Sequence, residues 1–252
     1  MLILNELHPR KPRRSEVPEE VTAAEVYAYP PARRWLRANM VSSVDGAAVL
    51  EGRVGSLTGP ADQQLLLLLR SLCDVLLVGA GTLRAEGYGP VRAQAELSDL
   101  RREVGQLAHP RLAVLSRSLE IDLTSTAFTK AAERPIVITT ELADTERVRE
   151  VEKVADVLLA GEAAVDLRVA LELLEQQGLH RMLSEGGPQT LAALYAADLV
   201  DELCLAISPM VVAGQESRLT AGPPMPEPLP VRLASVLERD GFLFVRYLRG
   251  PA

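Results

Sequence analysis

The sequence predicts an α/β protein built on a mainly parallel sheet, and two features of its apolar pattern indicate this. From Trp35 onward, short apolar segments alternate with amphipathic ones, which is typical of βα units around a parallel sheet. After residue 200 the pattern changes, because three strand-like segments follow one another with no helix between them. The last two are separated by residues 238–241, a good hairpin turn. We therefore expect antiparallel strands at the C-terminal end of the sheet.

The individual elements follow from short apolar runs and from amphipathic runs that begin near an Asp or Thr, where a cap or a dipole partner belongs. The predicted strands cover residues 36–42, 75–78, 111–115, 136–139, 157–159, 181–183, 202–207, 231–237 and 242–247. The predicted helices cover residues 62–71, 97–107, 145–154, 167–177 and 189–197. Residues 1–34 are rich in proline and charge, so we expect an irregular arm with one short helix, followed by a single domain over residues 35–252.

Composition bounds the class of protein and its partners. The chain has 252 residues, 48% of them hydrophobic, with a mean hydropathy of +0.10, enough for a substantial core. A net charge of −7 argues against non-specific binding to nucleic acid or to an anionic membrane. The longest apolar run, 65–69, is too short to cross a bilayer, and the N-terminus lacks the apolar core of a secretory signal. Cys73 and Cys204 lie in apolar segments and are expected to be free thiols, so we predict a cytoplasmic protein.

The segment 183–188, LSEGGP, joins a predicted strand to a predicted helix and has the features of a phosphate cradle. Gly186 and Gly187 let the backbone approach a ligand closely, Pro188 suits the first helical turn, and the free N–H groups there favour an anion. Glu185 does not suit a phosphate, so we assign it a ribose, base or substrate contact. Taken alone, the segment fits a tight turn without a ligand equally well.

A second loop of the same kind, LLVGAGT at 76–82, leads from a buried strand toward a helix. Two such loops suit a dinucleotide, because its pyrophosphate needs donors from more than one direction. Arg84 stands where the third glycine of the usual dinucleotide fingerprint would fall. Ser116 and Arg117 follow the strand at 111–115 and offer donors for a 2′-phosphate, which favours NADPH over NADH. Arg117 alone would equally be a solvated loop residue.

Other polar residues lie beside the predicted strands and helices. Ser43 and Asp45 follow the first core strand, where they could orient a polar heterocycle, although Asp45 also fits a simple turn. Glu86 and Arg92 lie in a glycine-rich loop, the first suited to a reacting ring and the second to a substrate phosphate, or both to solvent. Arg70 follows five consecutive leucines and needs an anion if its head turns inward. No metal-ligand spacing occurs around the histidines, so we expect no metal.

Several motifs in order resemble the RibD C-terminal family, the reductase domain of riboflavin biosynthesis, which has a dihydrofolate-reductase-like fold. They are SVDG at 43–46, LTGP at 57–60, LR at 69–70, the segment 74–82, SEGGP at 184–188 and LVDEL at 199–203. The resemblance runs from about Trp35 to the C-terminus. It implies a three-layer α/β/α fold and a homodimer that uses NADPH to reduce the ribosyl group of 5-amino-6-(5-phosphoribosylamino)uracil to ribityl. It also implies a stand-alone reductase, because the residues before the domain carry no zinc-deaminase ligands.

The resemblance and the residues discussed above together define an expected site. The cofactor is assigned to Val41, Gly79, Gly81, Thr82, Ser116, Arg117, Gly186, Gly187, Pro188, Gln189 and Thr190. The substrate is assigned to Ser43, Arg70, Arg92 and Glu185. Glu86 and Asp45 are the catalytic candidates, with Glu86 placed where the family commonly has Asp next to the reacting carbon, so that it can assist proton transfer.

Two departures from the family pattern bear on the substrate. Asn39-Met40-Val41 stands where many members carry Lys-x-Ala, and Glu86 replaces Asp. Two alternative functions follow: reduction of a dihydropterin-like heterocycle, or a non-catalytic paralogue that binds NADPH.

Overall fold

The computed structural model describes residues 3–8, 19–31, 33–50 and 54–250. Within these ranges, eleven strands form one sheet. The strands are β1 (Ile3–His8), β2 (Glu19–Thr22), β3 (Trp35–Ser43), β4 (Val75–Gly79), β5 (Arg111–Leu115), β6 (Ile136–Thr139), β7 (Asp156–Leu159), β8 (Arg181–Ser184), β9 (Glu202–Ser208), β10 (Val231–Arg239) and β11 (Phe242–Arg249). Their spatial order is β2-β1-β10-β11-β9-β3-β8-β4-β5-β6-β7.

The sheet is parallel from β9 through β3 to β7 and antiparallel on the other side of β9. The hairpin of β10 and β11 pairs with β9 through β11, as the sequence predicted for the C-terminal segments. The predicted α/β class with a mainly parallel sheet and antiparallel C-terminal strands is therefore confirmed. The central strands β4 and β6 lie between helices and are buried along their whole length, because both faces are covered.

The helices are α1 (Ala23–Val26), α2 (Pro60–Leu72), α3 (Ala80–Glu86), α4 (Ser98–Glu103), α5 (Thr126–Thr129), α6 (Thr145–Glu152), α7 (Leu167–Gln176) and α8 (Pro188–Ala196). Side chains of β4 alternate between two cores, with Leu76 and Val78 facing one side and Val75 and Leu77 the other. Helices α2 and α6 pack in the first core, and α7 and α8 pack in the second. The result is the expected three-layer arrangement, with α2 and α8 on opposite faces of the sheet.

Caps and glycines explain where several helices begin and end. Asp144 and Asp166 each accept a hydrogen bond from the first turn of α6 and α7. The predicted helix over 97–107 is shorter than expected: α4 ends at Glu103, because Gly105 adopts a φ of +73° that breaks the helical path. A turn of 3₁₀ helix at Ala95–Leu97 precedes it.

The expectation of an irregular N-terminal arm was wrong in two places. Strand β1 pairs antiparallel with β10, and β2 pairs with β1, so the arm extends the sheet at its antiparallel edge. The predicted short helix is present as α1. The sequence signal for the strands was weak because proline and charge dominate the arm, while the partner edge on β10 lies more than 200 residues away. The segment 9–18 lies outside the described residues.

A buried charged cluster ties α1 to the sheet. Glu202 on β9 is 1% exposed and accepts hydrogen bonds from Arg37 at 2.9 Å, Arg246 at 2.7 Å and Trp35 at 2.8 Å. Arg246 also donates to the carbonyl of Val26 at the end of α1. Two cations therefore share one carboxylate inside the protein, and the chain segment before β3 is held by that arrangement.

In the part of the chain that the structure describes, no helix has the length and apolar character needed to span a bilayer. The same residues contain no group of three or more His, Cys, Asp or Glu side chains placed to hold a metal ion. Cys73 and Cys204 are buried free thiols, as predicted.

Candidate active site

The two glycine loops predicted from the sequence meet at one edge of the sheet. Strands β4 and β8 are parallel neighbours, so Gly79 and Ser184 end at the same edge. The amide of Gly79 donates to the carbonyl of Gly186 at 3.2 Å, and the amide of Gly187 donates to Thr82 Oγ1 at 2.7 Å. The starts of α3 and α8 are thereby brought side by side. This is the crevice beyond the carboxyl ends of parallel strands where open α/β sheets bind ligands.

Glycine is required at this junction by close approach. A Cβ at Gly187 would lie 2.6 Å from Thr82 Oγ1, and a Cβ at Gly79 would lie 2.7 Å from Thr190 Oγ1. Gly186 has a φ of +79°, a left-handed conformation that side chains rarely adopt. The peptide bond between Gly186 and Gly187 is cis.

A cleft of about 470 Å³ lies next to this junction. Its walls come from β3, from α2, from α3 with the loop that follows it, and from Glu185 after β8. The lining residues are Asn39, Met40, Val41, Ala48, Val54, Gly55, Thr58, Asp62, Gln63, Leu66, Leu67, Arg70, Thr82, Glu86, Gly87, Tyr88, Gly89 and Glu185. The cleft therefore combines an apolar wall with a few convergent polar groups, as small-molecule sites usually do.

Arg70 and Glu185, both assigned to the substrate from the sequence, are brought together as a bidentate ion pair. Arg70 Nε and Nη2 donate to the two Glu185 oxygens at 2.6 and 2.7 Å. The anion that the sequence required for Arg70 is thus Glu185. The Tyr88 hydroxyl also donates to Glu185 at 2.7 Å, and the Arg70 guanidinium lies 5.3 Å from the Tyr88 ring centre. Burial, followed by the charge of Glu185, raises the pKa of Tyr88 well above its usual value, so its hydroxyl remains a donor.

Two further carboxylates line the cleft. Glu86 ends α3 and accepts a hydrogen bond from the amide of Val54 at 3.3 Å. Asp62 lies in the first turn of α2 and is 7% exposed. The Thr58 hydroxyl donates to it, and burial raises the pKa of Asp62 despite that hydrogen bond. Glu86 thus occupies the cleft as expected, and Asp62 adds an acidic group that the sequence did not single out.

Three of the six residues assigned to catalysis or to the substrate do not line the cleft: Ser43, Asp45 and Arg92. Asp45 is exposed, and its carboxylate accepts three hydrogen bonds. The donors are the amide of Val212 at 3.1 Å, the amide of Ala213 at 2.7 Å and the Ser43 hydroxyl at 2.5 Å. The Ser43 hydroxyl is buried and also accepts the amide of Ala47. Both side chains hold a turn in the structure, and the assignments of Asp45 to catalysis and Ser43 to substrate stay predictions.

The hydrogen bond from Ser43, followed by those from the amides of Ala213 and Val212, lowers the pKa of Asp45 to about 2, so it is a charged acceptor rather than a proton donor. Arg92 is exposed and is not among the residues that line the cleft, and its assignment to the substrate stays a prediction.

The remaining cofactor assignments lie along the edge formed by the loops. Val41 and Thr82 line the cleft. Pro188 is the first residue of α8, followed by Gln189 and Thr190 in its first turn. Gly81 is exposed in the first turn of α3. Ser116 and Arg117 follow β5, the neighbour of β4, with Ser116 buried and Arg117 exposed.

Sequence reasoning missed Asp62, Thr58 and Tyr88. A signal for Asp62 was present in its spacing, because Asp62, Leu66 and Arg70 recur every four residues and so share one face of α2. Tyr88 had no such signal, since it lies in a loop whose path depends on the fold.

The chain matches one family model and is similar to two archaeal enzymes. A family model described as the RibD C-terminal domain matches residues 34–241. A 2,5-diamino-6-ribosylamino-4(3H)-pyrimidinone 5′-phosphate reductase from Archaeoglobus fulgidus is 31% identical over 186 residues, covering 73% of this chain and 84% of that protein. An enzyme of the same name from Methanothermobacter thermautotrophicus is 31% identical over 188 residues, covering 69% and 80%.

Solved structures show the same architecture. A pyrimidine reductase-like protein from Corynebacterium diphtheriae superposes with a TM-score of 0.81 at 28% identity, covering 91% of this chain and 98% of that one. RibD from Acinetobacter baumannii, at 20% identity and a TM-score of 0.70, covers 86% of this chain and 58% of that one, and shares the fold.

Proposed function

Because the chain belongs to the RibD C-terminal domain family, we propose that it is an NADPH-dependent reductase of riboflavin biosynthesis that converts the ribosyl group of a phosphoribosylamino-pyrimidine to ribityl. The observation that carries the proposal is the meeting of both glycine loops beside a cleft that contains Glu86. The loops suit the anionic cofactor and the cleft suits the heterocycle. The two archaeal relatives bear the name of a reductase of this substrate class.

The proposed chemistry is a two-electron reduction at one carbon. The ribosyl ring opens to an imine: the C1–O bond breaks and the ring oxygen gains a proton, while the nitrogen on C1 loses its proton as the carbon–nitrogen double bond forms. A hydride, which bound NADPH would supply, then adds to C1 and the nitrogen regains a proton, so that one hydride and one proton are added overall. In this proposal Glu86 assists the proton transfer, because it is a carboxyl group within the cleft and next to the cofactor loops. Most of the acceleration comes from positioning.

Arg70, Glu185 and Tyr88 form the polar end of the proposed substrate site. The bidentate pair uses Nε and Nη2 of Arg70, and no described residue accepts from its Nη1. That nitrogen is therefore available to an oxygen of the ribosyl phosphate. Glu185, with donors on both oxygens, serves mainly to fix Arg70 and Tyr88 in the cleft.

Substitution of Gly187 by Ala is expected to weaken NADPH binding at least about tenfold. The added Cβ would approach Thr82 Oγ1 to 2.6 Å, so either the Thr82 hydroxyl or the loop must shift, and the hydrogen bond from the amide of Gly187 to Thr82 is lost. Fluorescence titration with NADPH measures the effect. Gly89→Ala is the matched control, because nothing lies within 4 Å of the added Cβ. Unchanged NADPH affinity in Gly187→Ala would remove this loop from the cofactor site.

Substitution of Arg117 by Ala is expected to weaken NADPH by about 10- to 100-fold and NADH much less, because only NADPH offers a 2′-phosphate to a charge-assisted hydrogen bond. Arg117 is exposed at the end of β5, beside the loop that follows β4. Dissociation constants for both cofactors measure the difference. Arg102→Ala, at an exposed position on α4, is the control. Equal losses for both cofactors would assign Arg117 a structural role.

The proposed function is tested by incubating the purified chain with NADPH and the phosphoribosylamino-pyrimidine and identifying the product by mass spectrometry. The expected product gains two hydrogen atoms and requires NADPH. NADPH binding without any such product would support the alternative of a non-catalytic binding protein.

Reduction of a dihydropterin-like heterocycle is the second candidate function. It is favoured by the residues that line the cleft, because Asn39 and Glu86 are both among them, whereas Arg92 is not. Arg70, the arginine on the cleft wall, is already paired with Glu185. A substrate without a phosphate would not need an unpaired arginine in the cleft.

We also propose that the protein is a homodimer, as the family resemblance implies, and that it is cytoplasmic. The proposed dimer is supported by an apolar surface on β9 and β11. This surface lies on the side of the sheet opposite the buried charged cluster around Glu202. Leu203, Leu205 and Tyr247 are half-buried there and, with Leu229 and Val231, line shallow apolar depressions. Apolar faces of this kind are common at subunit interfaces.

A further inference from the structure

Helix α2 forms one wall of the cleft and carries a charged side chain at each end of that wall, Asp62 and Arg70. Asp62, Leu66 and Arg70 are spaced four residues apart and all three line the cleft. Arg70 at the far end is paired with Glu185, whereas Asp62 lies about 12 Å away along the helix, at eight residues of 1.5 Å each. The heterocycle and the ribosyl phosphate of one substrate can therefore contact the two ends of the same helix.

Asp62 is a buried carboxylate that is only partly satisfied. Its side chain belongs to a residue 7% exposed, and Thr58 Oγ1 donates to Oδ2. No described residue donates to Oδ1. Because Asp62 lines the cleft, a ligand that brings N–H groups to it gains a hydrogen bond to Oδ1 without displacing a protein partner. The Thr58 hydroxyl occupies one lone pair of Oδ2, so Oδ2 can accept a second hydrogen bond and both oxygens can take part in ligand binding.

We propose that Asp62 selects the pyrimidine by accepting two adjacent N–H groups, those of the 2-amino substituent and N3 of a 2-amino-4-pyrimidinone ring. The inference rests on the proposed function and adds to it the residue that determines which pyrimidine is reduced. Two adjacent donors match the two oxygens of one carboxylate in a bidentate pair.

The alternative pyrimidine presents a mismatched edge. In the uracil form, position 2 carries a carbonyl oxygen, so one carboxylate oxygen of Asp62 would face another acceptor. That contact is repulsive, and only N3–H remains as a ring donor to the carboxylate, so one of the two paired hydrogen bonds is lost. Asp62 therefore favours the 2-amino compound over the 5-amino-6-(5-phosphoribosylamino)uracil that the family resemblance implied. Sites built to hydrogen-bond an N–H group discriminate strongly against analogues that lack it.

Asp62 suits this role better than Glu86, the other acidic side chain of the cleft outside the Arg70 pair. Glu86 ends α3, the helix that begins at the glycine loop after β4, and its Oε1 accepts the amide of Val54. It is thus associated with the cofactor side. Asp62 lies on α2, the wall of the cleft that also carries Gln63, Leu66 and Arg70.

The test compares kcat/KM for the two pyrimidines, which differ only at position 2. The wild-type protein is expected to prefer the 2-amino compound by about 10- to 100-fold. In Asp62→Asn, the amide offers one acceptor and one donor, which match N3–H and the 2-oxo group of the uracil, so the preference should reverse. Glu86→Gln is the matched control, because it should lower both rates and leave their ratio unchanged.

Thr58→Val provides a second variant that keeps the carboxylate, and it should retain the 2-amino preference with a higher KM. A thermal melt of each variant establishes that it is folded. A wild-type preference for the uracil, or an unchanged ratio in Asp62→Asn, would overturn the role of Asp62 while leaving the reductase function standing. No turnover of either pyrimidine by the wild-type protein would instead overturn the proposed function, and the inference with it.

Discussion

Replacing Glu86 with Gln should lower kcat by about two orders of magnitude and leave the Kd for NADPH nearly unchanged. The amide has almost the same shape and can still accept the hydrogen bond from the amide of Val54, so the cleft keeps its geometry. It has no proton to exchange with the substrate. The loss should therefore appear in single-turnover rates measured at saturating NADPH and pyrimidine.

The control for this variant is Glu103→Gln, an exposed carboxylate at the end of α4. It removes the same charge from the protein at a position outside the cleft, and its kcat should equal that of the wild type. Full kcat in Glu86→Gln would exclude Glu86 from proton transfer, and the proton would then have to come from another cleft residue or from water.

Replacing Glu202 with Gln should lower the free energy of unfolding by about 3–5 kcal/mol, because it leaves Arg37 and Arg246 as buried cations without a compensating charge. Arg37 is 0% exposed and Arg246 is 3% exposed, so water cannot take over the role of the carboxylate. Denaturant unfolding measures the change. Glu150→Gln, in an exposed pair with Arg147, is the control and should cost less than about 1 kcal/mol.

The carboxylate of Glu202 also makes the free energy of unfolding depend on pH, and the direction of that dependence follows from its pKa. Burial alone would raise the pKa of Glu202, but the charges of Arg37 and Arg246 overcome it and lower the pKa from 4.5 to about 2. A depressed pKa contributes stability above the unfolded value that is lost as pH falls through the folded value. The stability difference between the wild type and Glu202→Gln should therefore shrink from about pH 4.5 to about pH 2. A difference independent of pH in this range would contradict the ionised pair.

Much of the fold could be predicted because local pattern and tertiary structure agree. The strands β5 and β6 were predicted at their observed bounds, since each is a short apolar run between turn residues. The end of α4 and the two strands of the arm could not be predicted in this way. The first depends on the conformation of Gly105, and the second on an exposed edge of β10 far away in the chain.

The candidate site was predictable where backbone geometry determines it. The glycines before α3 and α8 are required by close approach, and their spacing after apolar strands is visible in the sequence. Polar side chains were harder to place, because a charged residue after a strand can face a cleft or hold a turn. Glu86 faces the cleft, whereas Asp45 holds the amides of Val212 and Ala213, which lie far from it in sequence.

The proposed reductase activity is tested by following NADPH oxidation with a phosphoribosylamino-pyrimidine and, in parallel, with dihydrofolate as the acceptor. We expect a kcat/KM for the pyrimidine well above that for dihydrofolate. Faster reduction of dihydrofolate would contradict it, and would mean that the loops bind the cofactor while the cleft serves a pterin.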